Sequence, residues 1–184
     1  MDQTTKQRLF FALVPSTAVK NNILEFRQNF KIINNDVKIV PESKLHLTLF
    51  FLGEVYENCL TEIVENIKNI RFQKFNLKLD YTGYFSNSRV FWLGCNTMPR
   101  QLLVLIDNIA YNLQKVPNLQ FDFIINKKNK YTPHVTLFKR IALGDITVLN
   151  NISPAIDWDI EDFCLIKSKN INNNLEYEIV AKFS

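Results

Sequence analysis

Two stretches, LHLTLFFLG (residues 45–53) and TPHVTLFKR (residues 132–140), decide the fold predicted for this chain. Each stretch carries one of the only two histidines in 184 residues, and each histidine is followed two places on by threonine. Successive side chains of a β-strand point to opposite faces, so residues i and i+2 share a face. His46 and Thr48 are therefore expected on one face of a strand, with the leucines around them on the other.

The second stretch repeats this arrangement with His134 and Thr136, backed by valine and leucine. The two histidines are separated by 88 positions, which is close to half of the chain. We interpret the recurrence as an internal duplication. It predicts an α+β or α/β protein of two lobes, each of which contributes one motif strand with an apolar side for packing and a polar side for chemistry.

The rest of the pattern predicts three helices and several short strands. The first helix is capped by Ser16, and the third is opened by Pro99. The apolar helical stripes are Val19, Ile23, Phe26 and Phe30, then Leu60, Ile63, Val64, Ile67 and Ile70, and then Leu102, Leu103, Ile106, Ile109, Ala110 and Leu113. The other predicted strands are 8–14, 37–40, 76–81, 89–95, 163–168 and 175–183.

Composition favours a soluble globular protein. Lys and Arg number 22 against 18 Asp and Glu, a net charge of +4 that permits a polyanionic partner without requiring one. Cys59, Cys95 and Cys164 lack the spacing of a zinc site or a disulfide framework. No stretch has the ~20 apolar residues of a membrane span or the pattern of a signal peptide. We expect a cytoplasmic monomer.

The two polar faces suit acid–base chemistry if they converge on one cleft. Imidazole has a pKa near 6.5, so one ring can act as a base while the other acts as an acid. Two threonine hydroxyls can donate hydrogen bonds to an oxyanion between the rings. A phosphodiester fits this arrangement, and no metal or other cofactor is expected. The pattern itself does not say which histidine is the acid.

The motifs also resemble a known family. VPESKLHLTLFFLGEV (40–55) and YTPHVTLFKR (131–140) are similar to the paired His-x-Thr motifs of the 2H phosphoesterase superfamily. The resemblance is strongest to RNA 2′,3′-cyclic phosphodiesterases, also called 2′-5′ RNA ligases, and it extends to residues 8–15, 83–94 and 163–180.

This resemblance implies a single bilobal phosphoesterase domain over residues 1–184, with two pseudo-symmetric lobes of mainly antiparallel strands, helices outside and a central cleft. It implies that His46 donates a proton to the leaving ribose oxygen and that His134 accepts a proton from water. Thr48 and Thr136 would hold the phosphate oxygens. The implied substrates are RNA ends or small cyclic nucleotides, opened to a 2′-phosphomonoester.

The chain departs from the family after each motif. Phe50 stands where relatives often carry a polar residue, and Lys139 followed by Arg140 stands where they commonly carry a single arginine. Strict alternation predicts Arg140 on the face of His134 and Lys139 on the opposite face. Both remain candidate phosphate ligands.

Other functions stay open at this point. The paired motifs could hold phosphate in a non-catalytic RNA- or nucleotide-binding module. The enzyme could instead act on another cyclic or 2′-5′-linked nucleotide, or work in the direction of ligation. Phe10 or Phe11 could stack on a base, although core packing is favoured, and the basic segment 127–130 could meet an RNA backbone.

Overall fold

A computed structural model describes residues 5–117, 119, 131–142, 144–150, 153–172 and 174–184. Within these residues the chain forms three α-helices and twelve strands. The helices are α1 (Thr17–Arg27), α2 (Leu60–Lys68) and α3 (Arg100–Leu113). The strands are β1 (Lys6–Leu13), β2 (Phe30–Ile32), β3 (Lys38–Ile39), β4 (Leu47–Tyr56), β5 (Phe75–Leu79), β6 (Tyr81–Phe85), β7 (Val90–Gly94), β8 (His134–Lys139), β9 (Ile146–Val148), β10 (Ile156–Ile160), β11 (Phe163–Ile171) and β12 (Asn174–Phe183).

The main sheet is antiparallel and runs in the order β12-β11-β1-β4-β8-β7-β6, with β3 paired to β8. It consists of two halves, because β4 and β8 meet through a single register pair, Leu47 with Val135. Each half ends in the strand of one His-x-Thr motif. The predicted α+β fold with two related lobes is confirmed by this topology and by the structural likeness reported below.

One face of the main sheet carries the core. Leu45, Leu47 and Leu49 are buried there, as alternation in the first motif predicts. The helices contribute their apolar stripes to the same core. A smaller cluster, made of Phe10, Ala12, Cys164 and Ile166, is separate from it. The polar side of the motif strands is thereby left for function.

The helices follow the sequence signals, with three errors. Ile70 lies beyond α2, because that helix ends at Lys68. Ser16 caps α1 as predicted, since its side chain accepts a hydrogen bond from the Val19 amide. Phe30 belongs to β2 rather than to α1, because the helix ends at Arg27. Leu103 was predicted in the core but is 44% exposed, and Leu105 is buried instead. The buried residues of α3 are Leu102, Leu105, Ile106, Ile109, Ala110 and Leu113.

Two glycines let an indole lie flat on the second lobe. Gly83 is the register partner of Trp92, and a Cβ on Gly83 would stand 2.1 Å from the Trp92 ring. A Cβ on Gly94 would stand 2.8 Å from the same ring. The indole therefore requires both glycines.

None of the described helices is long and apolar enough to cross a membrane.

Candidate active site

The two motif histidines lie at the joint between the halves of the sheet. The pairing of Leu47 with Val135 in an antiparallel register sets His46 opposite Thr136 and Thr48 opposite His134. The two histidines are then diagonal neighbours, a relation that separates side chains by roughly 7–8 Å. The charge of His134 lowers the pKa of His46, which agrees with this placement. The four polar side chains therefore share one face of the joint.

Each imidazole is held in the same way by its own strand. The Nδ1 atom of His46 lies 2.8 Å from the carbonyl oxygen of Lys44, and Nδ1 of His134 lies 2.8 Å from that of Thr132. A carbonyl can only accept, so Nδ1 is the protonated nitrogen in both neutral rings. Nε2 is thereby left to give or take a proton. The second motif reproduces the first down to this hydrogen bond.

Aromatic rings flank both histidines. The ring centroid of His46 lies 5.1 Å from Phe10 and 5.3 Å from Tyr177, the latter edge-on. That of His134 lies 5.0 Å from Phe85, also edge-on, and 5.9 Å from Trp92. These aromatic neighbours restrict the orientation of the two rings and shield part of each ring from water.

Burial lowers the pKa of both histidines below the ordinary value of 6.5. The backbone hydrogen bond to Lys44 opposes this for His46, while the charges of Lys139 and His134 lower its pKa further. For His134 the hydrogen bond to Thr132 opposes the effect of burial. Both rings are therefore biased toward the neutral form until an anion arrives.

A β-bulge follows each motif threonine. In β4, Thr48 pairs with Ala12 and Phe50 with Phe11, so Leu49 is the extra residue. In β8, Thr136 pairs with Trp92 and Phe138 with Phe91, so Leu137 is the extra residue. A bulge sets two residues against one and shifts the alternation of all that follow.

The bulges decide which side chain next returns to the polar face. Leu49 with Phe50, and Leu137 with Phe138, are consecutive buried residues. The positions after them, Phe51 and Lys139, are exposed. These two residues are thus equivalent under the duplication: the first motif presents a phenyl ring where the second presents an ammonium group.

The expected facing of Lys139 and Arg140 was therefore wrong. Lys139 lies on the His134 side, because the Leu137 bulge reverses the alternation, and its charge acts on His46. Arg140 stands at the turn that follows, with φ of 58°, and its carbonyl accepts a hydrogen bond from Arg89. Of the two cations, Lys139 is therefore the one whose side chain lies on the same face of the sheet as the histidines.

Sequence reasoning also missed Phe51 as the candidate stacking ring. Phe10 and Phe11 are buried, whereas Phe51 is 49% exposed and stacks on Phe10 with centroids 6.4 Å apart. The guanidinium of Arg8 lies 4.9 Å from the Phe51 centroid. The signal in the sequence was a second phenylalanine after the motif, but its facing depends on the bulge. Residues 127–130 lie outside the described residues.

Tyr131 was not singled out either, and it ties the two motif strands together. Its hydroxyl donates a 2.8 Å hydrogen bond to the carbonyl of Thr48. Burial raises the pKa of the Tyr131 phenol far above its ordinary value, and the neighbouring Cys95 adds to the shift. The hydroxyl therefore stays protonated and keeps donating across the joint.

The site is thus a pair of oriented imidazoles, two hydroxyls and a lysine on one face. Among the described residues, no group of three or more His, Cys, Asp or Glu side chains could hold a metal ion. The side chains at the joint can donate hydrogen bonds and move protons at an anionic centre placed between them.

Comparison with known proteins places this site in a family. A family model described as "LigT like Phosphoesterase" matches residues 13–92, which include the first motif. An RNA 2′,3′-cyclic phosphodiesterase of Methanocaldococcus jannaschii is 35% identical over 185 residues, covering 96% of this chain and 99% of that protein. The chain belongs to the LigT-like phosphoesterase family.

Solved structures agree with this membership. E. coli LigT in its apo form superposes with a TM-score of 0.80 at 25% identity, covering 97% of both chains. E. coli LigT complexed with 3′-AMP gives a TM-score of 0.77 at the same identity and coverage. The resemblance inferred from the motifs is confirmed, and the chain is a phosphoesterase with the LigT-like fold.

Proposed function

We propose that this LigT-like phosphoesterase is a metal-independent RNA 2′,3′-cyclic phosphodiesterase that opens the cyclic phosphate to a 2′-phosphomonoester. The observation that carries the proposal is the convergence of His46 and His134 with Thr48 and Thr136 on one face of the joint. The substrate class is supported by the M. jannaschii relative, which bears that name and matches over nearly its whole length.

In the proposed reaction, His134 takes a proton from water through Nε2 while the water oxygen bonds to phosphorus. His46 gives a proton from Nε2 to the ribose 3′ oxygen as the bond from phosphorus to that oxygen breaks. The 2′ oxygen keeps the phosphate. This division of roles follows the resemblance to the family, because the hydrogen bonds that orient the two rings are equivalent.

The hydroxyls of Thr48 and Thr136 would donate to the two non-bridging oxygens, and Lys139 would balance their charge. Such groups stabilise the transition state without a metal ion. The same phosphate favours a protonated His46, because its negative charge offsets the burial and the lysine charge that lower the pKa of that ring. Substrate binding would thus create the acid that the reaction needs.

Phe51 gives the substrate a place for its base. Its exposed ring lies on the His46 side of the site, next to Phe10, which itself contacts His46. Stacking on a phenyl ring tolerates any base, because every base has a π-face. We therefore expect little base preference from this contact.

The test is turnover of an RNA oligonucleotide with a 2′,3′-cyclic phosphate end, with EDTA present throughout. His46→Ala and His134→Ala should each lose on the order of a hundredfold or more in kcat, which is the usual contribution of a general acid or base. The product should be the 2′-phosphate, identified by ³¹P NMR against authentic 2′- and 3′-phosphates. Circular dichroism of each variant checks that the fold is intact.

Two outcomes would overturn the proposal. Loss of wild-type activity in EDTA that returns with a metal ion would refute metal independence. Saturable binding of the RNA end without any product would identify a binding module instead.

A further inference from the structure

Three lysines gather beside the two histidines. Lys38 and Lys139 are direct register partners in the antiparallel pair of β3 and β8, so their side chains share a face. Lys44 precedes the first motif, and its charge acts on Lys139. Lys139 in turn acts on His46. We refer to Lys38, Lys44 and Lys139 as the lysine cluster.

The lysine cluster forms no ion pair with a carboxylate in the described part of the chain. No ion pair within 4.0 Å is formed there by any of the three ammonium groups, although six other pairs are present. Like charges that face each other across two strands destabilise the pair. Although Lys139 as a whole is exposed, partial burial of its ammonium group lowers its pKa, and the charge of Lys44 lowers it further. An anionic ligand would relieve this repulsion.

One phosphate does not use all of these groups. The cyclic phosphate carries a single negative charge, and the two threonines, a protonated His46 and Lys139 suffice to bind it. Lys38 and Lys44 are not needed for this phosphate, although Lys38 is the register partner of Lys139 and the charge of Lys44 acts on Lys139. As neighbours of Lys139, they are available for a second phosphate group attached to the same nucleotide.

We propose that Lys38 and Lys44 bind a second phosphate of the substrate, so that the preferred substrate is an RNA end with a phosphate on the 5′ side of its last nucleoside. This inference rests on the proposed function: it assigns residues to the phosphodiester that precedes the last nucleoside of an RNA end, a group that a cyclic mononucleotide lacks. A cyclic mononucleotide without a 5′ phosphate would be turned over but bound less tightly.

The test compares adenosine 2′,3′-cyclic phosphate with the same compound carrying a 5′-phosphate. For the wild-type protein, kcat/KM should be about three- to tenfold higher for the second compound, as expected for one or two exposed lysine–phosphate contacts. Lys38→Gln should bring the ratio of the two values toward one and leave kcat/KM for the first compound within about twofold of wild type. Lys44→Gln should lower the ratio in the same way.

Salt provides a second readout. The slope of log(kcat/KM) against log[NaCl] should be steeper for the 5′-phosphorylated compound by roughly 0.7 to 1, and Lys38→Glu should abolish this difference. Lys78→Gln is the matched control, since Lys78 is an exposed lysine of β5 outside the main sheet. It removes the same charge and should leave the ratio unchanged.

Failure of this inference can be told apart from failure of the proposed function. A wild-type ratio near one, or a high ratio that persists in both lysine variants, would overturn the second phosphate site while turnover still supports the phosphodiesterase. If nothing is turned over, calorimetry with adenosine 2′-phosphate and adenosine 2′,5′-bisphosphate decides. Tighter binding of the bisphosphate that is lost in Lys38→Gln supports the site, and equal binding of the two refutes it.

Discussion

Removing the hydroxyl of Tyr131 should weaken the contact between β4 and β8, on which the site depends. Tyr131 donates a 2.8 Å hydrogen bond to the Thr48 carbonyl, and the motif strands otherwise share a single register pair. Tyr131→Phe keeps the ring and its packing and deletes only the donor. The substitution therefore tests the hydrogen bond without creating a cavity.

The magnitude follows from the surroundings of the bond. A net contribution of about 1 kcal/mol is usual for an intramolecular hydrogen bond, and a carbonyl left without its partner adds to the loss. We expect Tyr131→Phe to lower the free energy of unfolding by about 1 kcal/mol. Because small misplacements of catalytic groups reduce rate strongly, kcat should also fall by about three- to tenfold.

Urea denaturation gives the stability change, provided that the m-value is unchanged. Steady-state turnover of a cyclic-phosphate RNA end gives kcat. Tyr84→Phe is the matched control, since Tyr84 donates a 2.9 Å hydrogen bond to the Ile141 carbonyl, away from the joint. It should cost similar stability with a smaller effect on kcat. If Tyr131→Phe leaves both quantities at wild-type values, Tyr131 does not position the motif strands.

Three further results are expected. Lys139→Gln should raise the pKa of His46 in an NMR titration of the free protein, because the lysine charge lowers the pKa of that ring; an unchanged or lowered pKa would contradict this. Phe51→Ala should weaken nucleotide binding by about 1–3 kcal/mol but leave ribose 2′,3′-cyclic phosphate unaffected, and equal losses would rule out base stacking. Both histidines have a lowered pKa, so the folded state binds fewer protons than the unfolded state, and stability should fall as pH drops below 6.5. Urea titrations across that range should show a flatter dependence in a variant with both histidines replaced by asparagine.

The sequence predicted which side chains of the motif strands face the core as far as the threonines. Beyond the threonines it did not predict which face each side chain occupies. Alternation holds from Leu45 to Leu49, because a strand with one apolar side has only one register that buries it. The bulges after Thr48 and Thr136 depend on how β1 and β7 pair with the motif strands. A strand pattern taken alone carries no information on its partner, so the facing of Lys139 was predicted wrongly.

Partners distant in sequence explain what else was missed. Tyr131 is one polar aromatic among six tyrosines, and only the fold brings it within 2.8 Å of the Thr48 carbonyl, 83 positions away. The lysine cluster joins residues from β3, from the segment before the first motif and from β8. Sequence spacing finds groups on one strand, whereas tertiary pairing assembles groups from several.

The duplication explains why the site needs an asymmetric element. The two histidines have equivalent hydrogen bonds to the backbone, and the bulges after the threonines are equivalent too. A symmetric cradle would accept a cyclic phosphate in either of two orientations, of which only one places the 3′ oxygen at the acid. Phe51 and Lys139 break that symmetry at matching positions. An aromatic ring on one side and a positive charge on the other can distinguish the base end of a nucleotide from its phosphate end. The difference between Phe51 and Lys139, at equivalent positions of the two motifs, can therefore select the orientation of the bound nucleotide that places its 3′ oxygen at the acid.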